Sequence, residues 1–254
     1  EKKNWILEQE QRNFHALEQL KTNFVSLFSH DLKTPIAKIQ GIVDRMLLQA
    51  KEDSLTAELQ GLKEAGHELH RYIHSILRVL KVETREIQLN KEACDINEVI
   101  DKVIRQVQTL ANAKKQTIYR DLEPMFPIEG DLILLEEVLL NLVENAIKYS
   151  PEGGEIRVTS KDLGASILVT VEDNGVGMDR TDLARVWDRF IRGQNVSPQT
   201  KGSGLGLYLV KYFIEMHGGQ VQVDSQPGIG TKFGFTLPIE SSVANSVFGS
   251  EAQL

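Results

Sequence analysis

Between Lys3 and Gln49 apolar residues recur at helical spacing, first Leu17, Leu20, Phe24 and Leu27, then Ile36, Ile39, Val43 and Met46, with Gly41 the only glycine and Pro35 the only proline. The pattern predicts one long helix. Between the two sets the spacing slips in steps of four through Phe28 and Leu32, a stutter that locally unwinds a coiled coil. Pro35 removes a backbone hydrogen bond just beyond the stutter, so a bend is expected there. After the polar connector Ala50-Lys51-Glu52-Asp53, a second seam runs Leu55, Leu59, Leu62, Gly66, Leu69, Ile73, Ile76, Leu80, alternating four and three as heptad positions do. Gly66 on that seam costs about 1 kcal/mol relative to alanine and implies close packing or a weak point. Two long helices joined by a short loop form an antiparallel hairpin. One hairpin has too little partner surface to cover its own seam, so a dimeric four-helix bundle is expected.

Beyond Leu80 the pattern changes to alternating strands and helices, which marks a second domain over about 83–240. Helices are predicted over 97–113, 132–149, 180–187 and 205–217, and strands over 87–89, 117–120, 155–160, 167–172, 220–224 and 232–237. They mix without a regular βαβ period, so the expected fold class is a helical hairpin followed by a layered α/β sandwich rather than a doubly wound sheet. Residues 241–254 are rich in Ser, Gly and Asn and read as a flexible tail.

At 254 residues, 41% hydrophobic and 26% charged, the chain can bury a core, and no stretch approaches the roughly 18 apolar residues that a transmembrane helix needs. It opens on Glu1 and shows no apolar segment with a basic flank, so it reads as a fragment without a signal peptide. The expected location is cytoplasmic, as the cytoplasmic part of an inner-membrane sensor if segments outside this chain anchor it. The single cysteine, Cys94, excludes an internal disulfide and reads as a small hydrophobe, and a reducing compartment fits it. A net charge of -7 argues against a surface for nucleic acid, which needs clustered Lys and Arg.

Candidate chemistry falls in two places. His30 and Asp31 put a potential nucleophile beside a carboxylate, with Thr34 one helical turn further on. Imidazole is largely deprotonated at neutral pH and can attack phosphorus, and Asp31 can take the proton of the other ring nitrogen. About a hundred residues downstream, Asn141 and Asn145 are four apart and share a helix face, where an amide oxygen suits magnesium. Lys148 and Tyr149 follow in the last turn, within reach of phosphate and base. Asp173-Asn174-Gly175-Val176-Gly177 leaves an apolar strand with a carboxylate able to accept from an exocyclic amine. Gly202-Ser203-Gly204-Leu205-Gly206-Leu207 opens a helix, where backbone N–H groups can face phosphate. His67, His70 and His74, although spaced three and four apart, lack acidic companions and read as a solvated helix face. His15 and His217 read as structural.

Taken in order, NLVENAIKYS at 141–150, DNGVG at 173–177, RFIR at 189–192, GSGLGL at 202–207 and GIGT at 228–231 resemble the ATP-binding domain of sensor histidine kinases. FSHDLKTP at 28–35 resembles their phosphoacceptor box, and 1–20 resembles their linker helix, which leaves 21–82 as the dimerisation and phosphotransfer hairpin. The resemblance implies a Bergerat-type sandwich binding ATP and Mg2+, with Asn145 on the metal, Asp173 on adenine, and Gly175, Gly177, Gly202, Gly204, Leu205 and Gly206 in the loops around the nucleotide. It implies a lid over about 190–204 in which Arg192 and Lys201 face the terminal phosphates. Ile191 departs from the tyrosine common in relatives. The implied activity is autophosphorylation of His30 in a homodimer, then transfer to an aspartate of a response regulator receiver domain, with Thr34 orienting water for a phosphatase activity. The alternatives are an ATPase of the same superfamily, disfavoured because Asn141 stands where such enzymes carry a glutamate base, and a nucleotide-binding scaffold.

Overall fold

The computed structural model describes residues 36–39, 41, 42, 61, 62, 65, 66, 69, 73, 75, 76, 78, 79, 82, 87–191 and 203–239. His30, Asp31, Thr34, Arg192, Lys201 and Gly202 lie outside them, as do 1–20 and 241–254. Contacts divide the chain into Glu1–Arg78 and Val79–Leu254, a division a few residues ahead of Glu83.

In the first unit every described residue is helical. Ile42 and Ala65 are buried, and a Cβ at Gly61 would stand 3.1 Å from Ile42 Cδ1, so the two helical stretches touch there. Gly66, expected to be closely packed or weak, has nothing within 4 Å of where its Cβ would be. Among the described residues, then, nothing packs closely enough to require glycine there. No helix among the described residues is long and apolar enough to cross a membrane.

The second unit is a two-layer sandwich. Its order is β1 (Glu92–Cys94), α1 (Ile96–Ala113), β2 (Thr117–Leu122), β3 (Ile128–Gly130), α2 (Leu132–Tyr149), β4 (Glu155–Asp162), β5 (Ser166–Asp173), α3 (Arg180–Arg185), α4 (Gly206–Met216), β6 (Gln220–Gln226) and β7 (Gly230–Pro238). Five strands form one sheet in the order β2-β4-β5-β7-β6, parallel between β2 and β4 and otherwise antiparallel. β1 and β3 form a separate antiparallel pair. The expected strand at 87–89 is not formed. Strand pairing instead joins Cys94 to Ile128, a partnership set by the tertiary fold rather than by local alternation.

Alternation along the strands assigns the two faces of the sheet. Ile156, Val158, Ile167, Val169, Val171, Phe233, Phe235 and Leu237 are buried toward the helices, whereas Glu172, Lys232 and Asp224 emerge on the other side. α2 lies against β5, and α4 against β6 and β7. Phe213 of α4 and Phe235 of β7 are fully buried, and truncation of such a side chain costs about 3–5 kcal/mol.

α1, α2 and α3 are each capped by an aspartate, Asp95, Asp131 and Asp179, whose side chain accepts from the first-turn N–H groups. Asp131 does more. Its Oδ2 accepts from Asn90 N at 3.0 Å, and its own N–H donates to His217 Nε2 at 2.9 Å, while His217 Nδ1 donates to Phe213 O at 2.7 Å. This fixes the neutral tautomer of a buried histidine and braces the C-terminal end of α4 against the start of α2. Cys94 is buried, and its thiol is pushed up to about 11 by burial and by Asp95, Glu92 and Glu98, so it is an inert core group.

The brace has a pH signature. Burial lowers the pKa of His217 below the ordinary 6.5, so the unfolded chain binds a proton that the folded domain resists. Stability from this group is present above 6.5 and lost as pH falls below it. A glutamine in its place could keep both bonds without titrating. A His217→Gln variant should therefore lose less of its urea midpoint than wild type between pH 7.5 and 5.5; equal losses would exclude the histidine as the cause.

Candidate nucleotide site

The site is framed by α2, the 174–178 loop and the start of α4. α2 forms because a run of apolar residues, Leu134, Leu135, Val138, Leu139, Leu142, Val143, Ala146 and Ile147, buries much of its circumference, leaving Asn141 and Asn145 on one half-buried strip. Asn141 Nδ2 donates to Glu137 O at 2.9 Å, which leaves the amide oxygen facing the start of α4. That oxygen would stand 2.6 Å from a Cβ on Gly206, so only glycine lets the start of α4 come this close to α2.

α4 begins differently from α1, α2 and α3. Its N-cap, Leu205, provides no side-chain hydrogen bond and its own side chain is buried, so it anchors the loop while the first-turn N–H groups have no side-chain cap. A helix start of this kind beside an asparagine strip suits an anion. Gly204 adopts φ 68° and its carbonyl accepts from Phe190 N at 2.8 Å. The Arg189 guanidinium lies 4.6 Å from the Tyr208 ring centroid, linking the residues before 192 to α4 a second time.

Asp173 closes the other end. It ends β5 on the inner face, 9% exposed, and accepts from Gly175 N at 2.8 Å and from the backbone N–H of Thr231. Burial raises its carboxyl from 3.8 to about 6, Glu172 adds to the rise, and the two backbone donors oppose it. A buried carboxyl with lone pairs remaining beyond those two donors can read a donor on a ligand.

The loop after it is stapled in place. Asn174 Oδ1 accepts from Glu155 N at 2.9 Å, so this side chain is structural. Gly228 N donates to Val176 O at 2.8 Å, and Ser225 Oγ accepts from Met178 N at 2.9 Å and donates to Gly230 O at 3.0 Å. Gly177 has φ 64°, and a Cβ there would collide with the backbone of Gln226. At the end of α2, Lys148 Nζ lies 3.1 Å from Tyr149 Oη and 4.7 Å from its ring centroid, so these two side chains meet each other.

Of the expected site residues, Asn141, Gly204, Leu205 and Gly206 meet at one end, and Asp173, Gly175 and Gly177 form the other. Asn145 lies on α2 between them, and Lys148 and Tyr149 end that helix. Reading by motif passed over Thr231 as a donor to Asp173, Ser225 as the staple, and Lys114 with Gln116 at the end of α2. Only Thr231 had a signal, its place in the GIGT stretch. A cavity of about 450 Å³ opens mostly among residues of the outer sheet face, among them Tyr119, Arg157, Glu172, Asp224 and Lys232. There Arg157 stacks on Tyr119 and Lys232 pairs with Glu172 at 3.1 Å.

Residues 130–241, which hold every described element of this site except the Lys114–Gln116 turn, match the family described as histidine kinase-, DNA gyrase B- and HSP90-like ATPase. A solved mycobacterial sensor histidine kinase, MprB, is 30% identical with a TM-score of 0.51 and is covered over 97% of its chain by 58% of this one. The chain belongs to the sensor histidine kinase family. Within that family it is also 30% identical over 227 residues to the sensor-like histidine kinase SenX3 of Mycolicibacterium smegmatis, covering 88% of this chain and 59% of SenX3. The chain thus spans little more than half the length of that relative. Histidine kinase ThkA, solved in complex with response regulator protein TrrA, shares the fold at a TM-score of 0.71 and 21% identity, over 91% of this chain and 66% of ThkA.

Proposed function

We propose that this chain is the kinase core of a two-component sensor, transferring the γ-phosphoryl group of ATP to His30 and from there to an aspartate of a response regulator receiver domain. The observation that carries the nucleotide half is the arrangement along α2: a buried carboxyl, Asp173, held by two backbone donors at one end, and an uncapped helix start packed on Asn141 at the other. Adenine donates its exocyclic amine to Asp173, and the phosphates lie toward Gly204, Leu205 and Gly206. Arg192 and Lys201, in a lid over about 190–204, add positive charge.

No cluster of three or more His, Cys, Asp or Glu suited to a metal occurs among the described residues. A magnesium ion here would take one amide oxygen from Asn145 and its remaining ligands from phosphate and water, which suits an ion that keeps most of its shell. When bound, it neutralises phosphate charge.

His30 attacks the γ-phosphorus through a ring nitrogen. An N–P bond forms, the bond from γ-phosphorus to the bridging oxygen breaks, ADP leaves, and Asp31 receives the proton of the other ring nitrogen. The receiver aspartate then takes the phosphoryl group from nitrogen to oxygen, in line with the ThkA complex with a response regulator. Thr34 orients water for hydrolysis of the phospho-regulator. Asn141 favours this chemistry over ATP hydrolysis, since its amide is tied to Glu137 O and cannot serve as a base.

Two copies of the helical hairpin form a homodimeric four-helix bundle in the proposed kinase. Its support is that seam position Ile73 is 40% exposed within one chain and Leu62, Leu69 and Ile76 are only half-buried. Incubation with magnesium and ATP labelled on the γ-phosphate should label the protein, and addition of receiver domains from a panel should drain the label into one of them. Thr34→Ala should label normally but clear the phospho-regulator more slowly. Free phosphate without labelled protein would favour the ATPase, and neither product the scaffold.

A further inference from the structure

The last carbonyls of α2 are not satisfied as helix ends usually are. A helix commonly closes on a left-handed glycine whose following N–H groups turn back to the final carbonyls. α2 instead runs into Ser150 at φ -78° and ψ 148°, an extended residue that returns one bond, to Ala146 O. The remaining carbonyls are collected from elsewhere. Lys114 Nζ donates to Ile147 O at 2.7 Å, Lys148 O at 3.1 Å and Ser150 O at 3.0 Å. Gln116 Nε2 donates to Ile147 O at 3.0 Å, Ser150 O at 3.1 Å and Pro151 O at 3.0 Å. Tyr149 O, between them, accepts from Val176 N at 3.3 Å in the loop that follows Asp173.

The α1–β2 turn is locked into the loop after α2 by its backbone as well, through Gly153 N to Lys114 O at 2.9 Å and Thr117 N to Gly154 O at 3.0 Å. The loop beyond Asp173 sits directly on the gathered helix end, for a Cβ at Gly175 would lie 2.6 Å from both Tyr149 O and Asp173 Oδ1. A shift in the end of α2 is therefore passed to the Asp173 carboxyl by contact. Lys114 is suited to the task chemically: its ammonium places a positive charge on the negative end of the α2 dipole and offers three donors. Gln116 is 4% exposed, and among the described residues neither its Oε1 nor the buried Ser150 Oγ has a hydrogen-bond partner. Such groups cost stability, so the arrangement is not the one that helix capping alone would select.

We infer that Lys114 and Gln116 are positioning residues of the nucleotide site, setting the distance between the base-reading carboxyl of Asp173 and the asparagine strip of α2 without touching nucleotide themselves. The inference rests on the nucleotide reading of that site. It assigns function to a stretch, Ala113-Lys114-Lys115-Gln116, that looks in sequence like an ordinary solvated turn.

The test is calorimetric titration of the full chain with magnesium-ATP and magnesium-GTP, alongside thermal unfolding without nucleotide. Lys114→Met and, as a milder change that folds if the first does not, Gln116→Met should each weaken ATP binding by roughly tenfold to a hundredfold in the folded protein, as small misplacements of binding groups do. Both should narrow the preference for ATP over GTP, because Asp173 no longer meets the base at its proper distance. Lys115→Ala is the control, since Lys115 is exposed and pairs with exposed Glu152 at 2.6 Å, and it should bind both nucleotides like wild type. If wild type binds ATP and both variants unfold at lower temperature yet keep its affinity and its ATP preference, the pair is merely structural and the inference is overturned. If wild type binds neither nucleotide, the nucleotide reading itself fails and the inference fails with it.

Discussion

An Asp173→Asn variant should bind magnesium-ATP roughly a hundredfold more weakly than wild type, the loss expected for a hydrogen bond to a charged group, and yet unfold at a higher temperature. The two effects share one cause. Burial raises the Asp173 carboxyl from 3.8 to about 6, so the folded domain holds this proton more tightly than the unfolded chain does. Stability from the group is fully present below about pH 4 and lost as pH rises through about 6. By pH 7.5 the unliganded domain carries the whole cost of an ionised buried carboxyl, roughly 3 kcal/mol for a shift of this size. Asparagine retains an oxygen for the Gly175 N–H and escapes ionisation, so its gain over wild type should shrink as the pH is lowered toward 4. A ligand amine donating to Asp173 prefers the carboxylate, so ATP affinity of wild type should itself weaken below about pH 6. Because His217 loses stability in the same acid range in which Asp173 recovers it, the wild-type stability profile alone separates neither; the variants do.

Gly177→Ala is the second large effect. Alanine at φ 64° is strained, and its Cβ would occupy the space of the Gln226 carbonyl, a backbone group that cannot swing aside. The 174–178 loop must then leave the β6–β7 turn, breaking the bonds from Gly228 N to Val176 O and from Met178 N to Ser225 Oγ. A cost of about 3 kcal/mol or more follows, together with loss of nucleotide binding. Gly228→Ala isolates the strain, because φ is 75° there but nothing lies within 4 Å of its Cβ. It should cost only about 1–2 kcal/mol. Urea unfolding measures both, and similar losses in the two variants would contradict the assigned clash.

What could be read along the chain was what local chemistry decides. α2 is found at Leu132–Tyr149, as its apolar period predicts, and the strands of the five-stranded sheet appear at the expected alternations, each within a few residues. β1 and β3 were not legible, because three-residue strands carry no period and exist only through each other. The 87–89 stretch alternates well but has no strand beside it. Asp173 and its glycines stand out because they follow the asparagine helix and precede two further glycine-rich loops in a fixed order, since Asp-Asn-Gly alone is common in hairpin turns. Lys114 and Gln116 did not, since a lysine and a glutamine in a polar turn are unremarkable until the fold sets the end of α2 beside them. Gly66 shows the converse: its place on the seam suggests close packing, and among the described residues nothing lies within 4 Å of where its Cβ would be.

The central claim is that the nucleotide site serves a histidine and not a water molecule, and the stability of the labelled product tests it most directly. After incubation with magnesium and γ-labelled ATP, wild type should carry label that is lost in acid and retained in alkali, as a phosphoramidate is, and His30→Gln should carry none. Label that survives acid, or label that persists in His30→Gln, would contradict the account.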